Sequence, residues 1–473
     1  MKISRKFTFC FVLLGSLLLF PVPAKALNGH EITVGPTGMF HDINSAIVHA
    51  SPGDTIKLQK GVYQERLTIN KPLNLIGEEG VVIDGGGQEN IILVDNSQNV
   101  AISRLSLRNS GGSAVTPYAG IKLVNSKAVN ISRITMSSVE YGVYLDTSNH
   151  CKLDNIVVTG KKELMPEDRG DGLGFWNSSY NQVANSHISY VRDGALFVFS
   201  PFNQVVSNRF DFLRYGLHYM YSNNNTFNRN IFSDSVAGAT PMYSKNMVFT
   251  HNIFAHMPGE RAYGILLKDC EQSTFTDNLI LESNVGVQFD HAIGNEIKNN
   301  LIINCGVGFQ VLGNSTANLF TGNSLRDNIV QVATDYGALP NTWTEDGKGN
   351  YWSDYVGYDF LDRGIGERPY ASINYLAQAI FNQPVLQLFA DSPGLQAVAR
   401  GLQLFPLWNF PSITDENPLM HPPAIEAEWS PWLKNPISFP EILIFDLITI
   451  TVLALGIWLI WMSRRRRCAV VKG

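Results

Sequence analysis

Charge is scarce in this sequence. Asp, Glu, Lys and Arg make up 16% of 473 residues and sum to a net charge of -5, so no broad basic surface is available and nucleic acid is excluded as a partner. Cysteine is scarcer still, with five residues in all. Cys10 and Cys468 belong to the two chain ends, which leaves Cys151, Cys270 and Cys305. An odd set of this kind predicts buried free thiols rather than a disulfide or a thiolate site. No Gly-x-x-x-x-Gly-Lys-Ser/Thr phrase occurs, so the chain carries no nucleotide-binding P-loop of that kind. Apolar runs long enough for a membrane are missing from the interior, and the one that occurs, residues 442–462, lies near the carboxy terminus.

What is abundant is a repeat. Gly194-Ala-Leu-Phe-Val-Phe-Ser200, Gly216-Leu-His-Tyr-Met-Tyr-Ser222, Gly238-Ala-Thr-Pro-Met-Tyr-Ser244, Gly264-Ile-Leu-Leu-Lys-Asp-Cys270 and Gly286-Val-Gln-Phe-Asp-His-Ala292 follow one another at steps of 22, 22, 26 and 22 residues. A second phrase keeps step and ends on Asn208, Asn230, Asn252, Asn278 and Asn300. A repeat this short, with period-2 apolar alternation, predicts an all-β fold, a right-handed parallel β-helix of about 22-residue coils. In it Gly supplies the corner and Asn tolerates the tight turn beside it. The inward set is Ile121, Val143, Leu173, Ala195, Leu217, Ala239, Ile265, Val287 and Phe309, with Leu123, Leu145, Phe175, Phe197, Tyr219, Pro241, Leu267, Phe289 and Val311 two positions on.

The order of segments follows from the same reading. Lys2, Arg5 and Lys6 precede an apolar run and an Ala24-Lys-Ala26 cleavage phrase, so residues 1–26 read as an export signal. Residues 27–335 form the β-helix, opened by a short helix at Phe40–Ile47 and by strands at Gly53–Leu58, Tyr63–Ile69 and Leu73–Gly77. Two coils carry insertions, Thr159–Gly170 and Ala255–Arg261, at one edge of one face, where binding is commonly concentrated. Residues 336–440 read as a Gly- and aromatic-rich cap, amphipathic helices between about 374 and 410, and a Pro-rich linker. Residues 441–463 then form a transmembrane helix, its apolar core at 442–462, and Arg464–Arg467 mark a cytoplasmic tail over 464–473. The body therefore lies outside the cytoplasm, anchored to the membrane by this helix, with the short tail inside.

The outward parity of the Gly-led strands is polar in the outer coils, with Lys122, Asp146, Gln288, Gln310 and Asp290. In the middle coils it is Trp176, Leu196, Val198, His218, Met220, Met242 and Leu266, a contiguous column of apolar and soft groups that suits a partner surface. His218 and Met220 share a face, Met242 stacks on Met220, and His256 and Met257 enter from the inserted loop. Imidazole with thioether sulfur suits Cu(I). A Met-rich protein-binding surface without metal reads the same residues equally directly.

No catalytic residues emerge. Sugar cleavage on a β-helix needs paired carboxylates, and the outward Asp146 and Asp290 are many coils apart. The Gly-His-Gly and Asp-Pro-His phrases of polygalacturonases and alginate epimerases are missing. Asp354, Asp359, Asp362 and Glu367 in the cap match no calcium loop.

The opening Gly61-Val-Tyr-Gln-Glu65 phrase resembles the first coils of the carbohydrate-binding and sugar hydrolase β-helix superfamily. More specifically, Leu213-Arg-Tyr-Gly-Leu-His-Tyr-Met-Tyr-Ser222, Pro241-Met-Tyr-Ser244, Tyr263-Gly-Ile-Leu-Leu-Lys-Asp269, Gly349-Asn-Tyr-Trp-Ser-Asp-Tyr355 and Asn417-Pro-Leu-Met420 closely resemble the NosD family of periplasmic nitrous oxide reductase maturation proteins. The resemblance implies a non-catalytic β-helix working with an ABC-type ATPase and membrane subunit. It further implies that copper, or a copper chaperone lipoprotein, is accepted, and that assembly of the copper-sulfur centre of nitrous oxide reductase is served. Arg363, where relatives usually carry Gly, and the added spanning helix depart from the pattern. A polysaccharide-binding or -modifying envelope protein and a purely structural scaffold remain the competing expectations.

Overall fold

The structure, a computed structural model, describes residues 29–433 except 114, 260, 335–339, 373–391, 393 and 395–412. The export signal, the amphipathic helices, the spanning segment 442–462 and the basic tail lie outside the described residues. Among the described residues no helix is long and apolar enough to cross a membrane.

The chain winds as a parallel β-solenoid. A middle coil contributes two short strands, such as Gln204–Val206 and Arg209–Asp211, and one longer strand, Tyr215–Met220. The long strands form a 12-stranded sheet, and the short ones two rows of a 23-stranded sheet. Each strand pairs in parallel with the coils before and after it, in the 22-residue register of the repeat, Leu217 opposite Ala195 and Ala239. All eighteen positions assigned inward on the Gly-led strands are buried. Aromatic rings stack along the core, Phe210 on Phe232 and Phe227 on Phe249 with centroids 5.1 and 4.5 Å apart.

The glycines and asparagines act otherwise than the corner reading supposed. Gly216 lies inside its strand, and a Cβ there would stand 2.5 Å from the Gly238 carbonyl oxygen and from Phe232. Glycine is needed for the close approach of successive coils. The corners are taken by residues with left-handed backbone just before each Asn, namely Ser207, Arg229, His251, Asp277 and Asn299. The asparagines themselves are buried and form a ladder. The backbone N–H groups of Asn208, Asn230, Asn252, Asn278 and Asn300 each donate to the side-chain oxygen of the next Asn at 3.0 Å. A polar column inside an apolar core is tolerated because every member is satisfied.

At the start, helix Ile43–His49 covers the first coil, with Asp42 accepting from the Ser45 N–H. The run Tyr63–Ile69 is two strands, Gly61–Tyr63 and Leu67–Ile69, because the chain turns a corner between them. At the far end Phe320 stacks on Trp343 and Trp352 on Tyr370, both at 4.3 Å, and the two tryptophans meet tilted at 5.8 Å. Buried Asp415 gathers the end, accepting from the Asn350 and Asn417 N–H groups and from Trp352 Nε1. The chain then returns along the solenoid. The stretch read as a linker instead seats Trp429 on Ile253, Ala255, Leu279, Leu281, Leu301 and Ile303, an outward apolar stripe that solvent would otherwise meet.

Candidate functional site

The apolar residues predicted as one column form two. Trp176, Val198, Met220 and Met242 are successive partners along one line, which continues into Lys268. Leu196 and His218 belong to a parallel line, where His218 pairs onward with Thr240. Thr240 turns its hydroxyl inward to the Leu217 carbonyl. Leu266 faces Gln288, at the polar margin. Trp176 is 44% exposed, and the other members are half-buried.

His218 is held from below. Its Nδ1 is 2.8 Å from Oδ2 of Asp193, whose side chain is buried and clamped by Arg214 through bonds of 2.9 and 2.6 Å. Arg214 also lies over the Tyr215 ring, 4.5 Å from its centroid, and Tyr215 meets the His218 ring edge-on at 5.5 Å. One coil back, Arg192 grips Asp171 in the same way at 2.9 and 2.6 Å, and the Asp193 N–H donates to Asp171. Burial pushes the Asp171 carboxyl up against the pull of Arg192. At Asp193 burial acts in the same sense, yet hydrogen bonds from His218 and Arg214 hold the carboxyl below its ordinary value. Two carboxylates thus do stack on adjacent coils, contrary to the expectation that such pairs are missing. Both are buried and occupied by arginine, so neither is free to act on a substrate. The signal was in the sequence, as Asp one place before Gly in one coil and Arg two places before Gly in the next.

His256 and Met257 do not join this surface. They end the strand Ile253–Met257 in the other sheet, and the insertion bulges only after Met257. Met257 is 1% exposed and packs in the core beside Gly238. His256 turns a corner, pairs its Nδ1 with Glu282 at 2.6 Å and lies 6.0 Å from the Trp432 ring. Among the described residues no group of three or more His, Cys, Asp or Glu could hold a metal, so soft-metal binding on this face would depend on the thioethers.

Sequence reasoning also missed an aromatic ladder. Phe199, Tyr221 and Tyr243 sit one residue beyond Val198, Met220 and Met242, at exposed corners with left-handed backbone. Their rings stack at 5.3 and 5.0 Å, and Trp176 meets Phe199 edge-on at 5.6 Å. The 22-residue spacing was legible, but the corner position turns these rings onto the rim of the Met-bearing strands. The three cysteines are buried and unpaired. Burial raises the thiol of Cys151 to about 11 and those of Cys270 and Cys305 to about 12, so none is a thiolate at neutral pH.

These features define a parallel β-solenoid with one methionine- and aromatic-rich face, braced by a buried Arg-Asp-His cluster. Residues 154–357 match the family model described as "Periplasmic copper-binding protein (NosD)". The "Probable ABC transporter binding protein NosD" of Pseudomonas aeruginosa is 32% identical over 428 residues, covering 85% of this chain and 98% of that protein. Its namesake from Stutzerimonas stutzeri is 32% identical over 384 residues, covering 78% and 87%. The chain belongs to the NosD family. The solenoid itself is shared more widely. A family 28 exopolygalacturonase of Yersinia enterocolitica has a TM-score of 0.50 at 11% identity, covering 67% of this chain and 78% of that one. The Dettilon tailspike protein gives 0.51 at 15%, covering 62% and 64%. Both likenesses concern the fold alone.

Proposed function

We propose that this chain is a non-catalytic periplasmic maturation factor for nitrous oxide reductase, handling Cu(I) as cargo beside an ABC-type ATPase and its membrane subunit. Family membership supports the setting, since relatives are named as ABC transporter binding proteins and the family model as periplasmic and copper-binding. The observation that carries the surface is the in-register pair Met220 and Met242 beside His218. With Nδ1 engaged by Asp193, Nε2 is the His218 ring nitrogen left for an outside ligand. His218 and Met220 lie two residues apart on one strand face, and Met242 is one coil away, so two thioethers and one imidazole can converge on a soft cation.

The rim of Trp176, Leu196, Val198 and Leu266 with the aromatic ladder would then receive the copper donor, a chaperone lipoprotein, or the reductase. Methionine and aromatic side chains are the residues enriched at such contacts. ATP-driven movement of the membrane partner would reach this rigid face through the carboxy-terminal segment. The test is Cu(I) titration of the full chain against a chromogenic chelator, beside a His218→Ala, Met220→Ala, Met242→Ala variant of unchanged circular dichroism. Saturable binding lost in the variant is expected. Equal binding by the variant would sink the assignment.

A further inference from the structure

Beyond the last coil the chain turns apolar side chains outward. Tyr351–Trp352 is the closing strand of its sheet, paired with Ser324 and Leu325. In the loop that follows, Val356, Tyr358, Phe360 and Leu361 are 85%, 51%, 76% and 63% exposed. Val356, Tyr358 and Phe360 alternate with half-buried Tyr355, Gly357 and Asp359, and the Tyr358 and Phe360 rings lie 4.4 Å apart. The group forms one apolar tip, and a cluster of this kind on a surface marks a contact.

Its own backbone holds the tip out. The Arg363 and Gly364 N–H groups donate to the Asp359 carboxylate at 3.1 and 2.6 Å, and the Glu367 N–H donates to the Tyr358 carbonyl at 3.0 Å. The Tyr355 hydroxyl donates to the Arg368 carbonyl at 2.6 Å. The base is fastened by the Gly366 N–H to the Pro418 carbonyl and by the Met420 N–H to the Gly364 carbonyl. Asp359, the one charge from 355 to 361, is engaged by those N–H groups. A fixed loop with an uncharged tip suits an apolar phase, which needs no matching shape.

Two further observations name that phase. The segment whose spacing predicts amphipathic helices between about 374 and 410 departs and returns at this same end, where the Ser372 N–H donates to the Ile413 carbonyl at 3.2 Å. The apolar run 442–462 is also within reach of it. Trp432 lies beside His256, and that strand is four pairings back from Tyr351, a setback of about 19 Å at about 4.8 Å per coil. The nine steps from Leu433 to residue 442 extend to about 30 Å, so the run can begin level with the cap.

We propose that the tip formed by Val356, Tyr358, Phe360 and Leu361 inserts into a lipid bilayer, its apolar groups reaching about 5–10 Å into the headgroup and acyl boundary. Tyr358 keeps its hydroxyl among the headgroups. The solenoid then stands with its carboxy-terminal end on the membrane, and the strand of Met242, four pairings from the last long strand, is held about 20 Å above that end. This orientation rests on the reading of 442–462 as a spanning helix, whereas the contact made by the tip is tested apart from it.

The test uses the full chain with Cys10 and Cys468 replaced by Ser, the other three cysteines being buried. A polarity-sensitive fluorophore is attached at Leu361→Cys or, as control, at Val48→Cys, which is 81% exposed on the helix at the opposite end. Each labelled chain is reconstituted into phosphatidylcholine–phosphatidylglycerol vesicles carrying a doxyl spin label near the headgroups, and into lipid-free amphipol. In vesicles the label at 361 should shift to the blue and be quenched at least about threefold more than the label at 48, and Val356→Ser with Phe360→Ser should weaken that quenching. A label at 361 that stays water-like in vesicles overturns the proposal. So does one shielded equally in amphipol and unquenched by the spin label, since the chain itself then covers the tip. Alkaline extraction of the same vesicles decides the spanning reading separately. A chain that is retained but unquenched at 361 refutes the tip contact alone, and one that is extracted yet quenched before extraction refutes the span alone.

Discussion

His218 and Asp193 stand 25 residues apart in the chain and meet through Nδ1 and Oδ2 at 2.8 Å, because one solenoid turn brings their strands side by side. Asp193 is buried, and Arg214 completes its shell. Replacing Asp193 by Ala leaves the guanidinium without its partner, and a broken buried pair typically costs about 3–5 kcal/mol. His218→Ala removes only the partly exposed partner and should cost about 1 kcal/mol. Denaturant titration of the two variants checks the order.

The same carboxylate gives a pH dependence of definite sign. Its folded-state value lies below the ordinary one, so in acid the unfolded chain binds the proton first. The Asp193 contribution is complete above about pH 4 and is lost as pH falls further, through the depressed folded value. The stability gap between wild type and Asp193→Ala should therefore be full at neutral pH and shrink below about pH 4. A gap that widens in acid would contradict the assignment.

Met257→Leu and His256→Ala should leave Cu(I) binding unchanged. Met257 fills the core behind Gly238, so the swap conserves volume and costs less than about 1.5 kcal/mol. His256 is committed to Glu282 on the other sheet. The chelator competition used for His218, Met220 and Met242 measures both.

Asn252→Ala breaks the polar ladder at its centre. The Asn252 side chain accepts from the Asn230 N–H and donates to the Phe227 carbonyl and to Asn278. At about 1–3 kcal/mol for each buried group left unpaired, destabilisation of at least about 3 kcal/mol is expected in thermal or urea unfolding.

Gly216→Ala tests the close approach of coils. Its Cβ would meet the Gly238 carbonyl at 2.5 Å, and backbone cannot move aside as a side chain can. A loss of about 3 kcal/mol or more should follow. By contrast, Gly86→Ala meets nothing within 4 Å and pays only for its left-handed backbone, about 1–2 kcal/mol.

The sequence by itself determined the solenoid, its period and its core, because a parallel coil repeats one burial pattern each turn and the pattern is local. Leu217, Ala239 and Ile265 could be assigned inward from spacing alone, and so could the outward parity of His218, Met220 and Met242. The tertiary structure decided what spacing cannot carry. Lateral position within a coil separates Trp176 and Met220 from Leu196 and His218. The exact length of one strand sends Met257 into the core. The stacking of turns sets Asp193 under His218, and the chain's return along the solenoid seats Trp429 on an outward apolar stripe. Each of these depends on which side of a corner a residue falls, or on a contact between segments far apart in sequence. Period and parity fix the face a side chain points to, and only the wound chain fixes its neighbours.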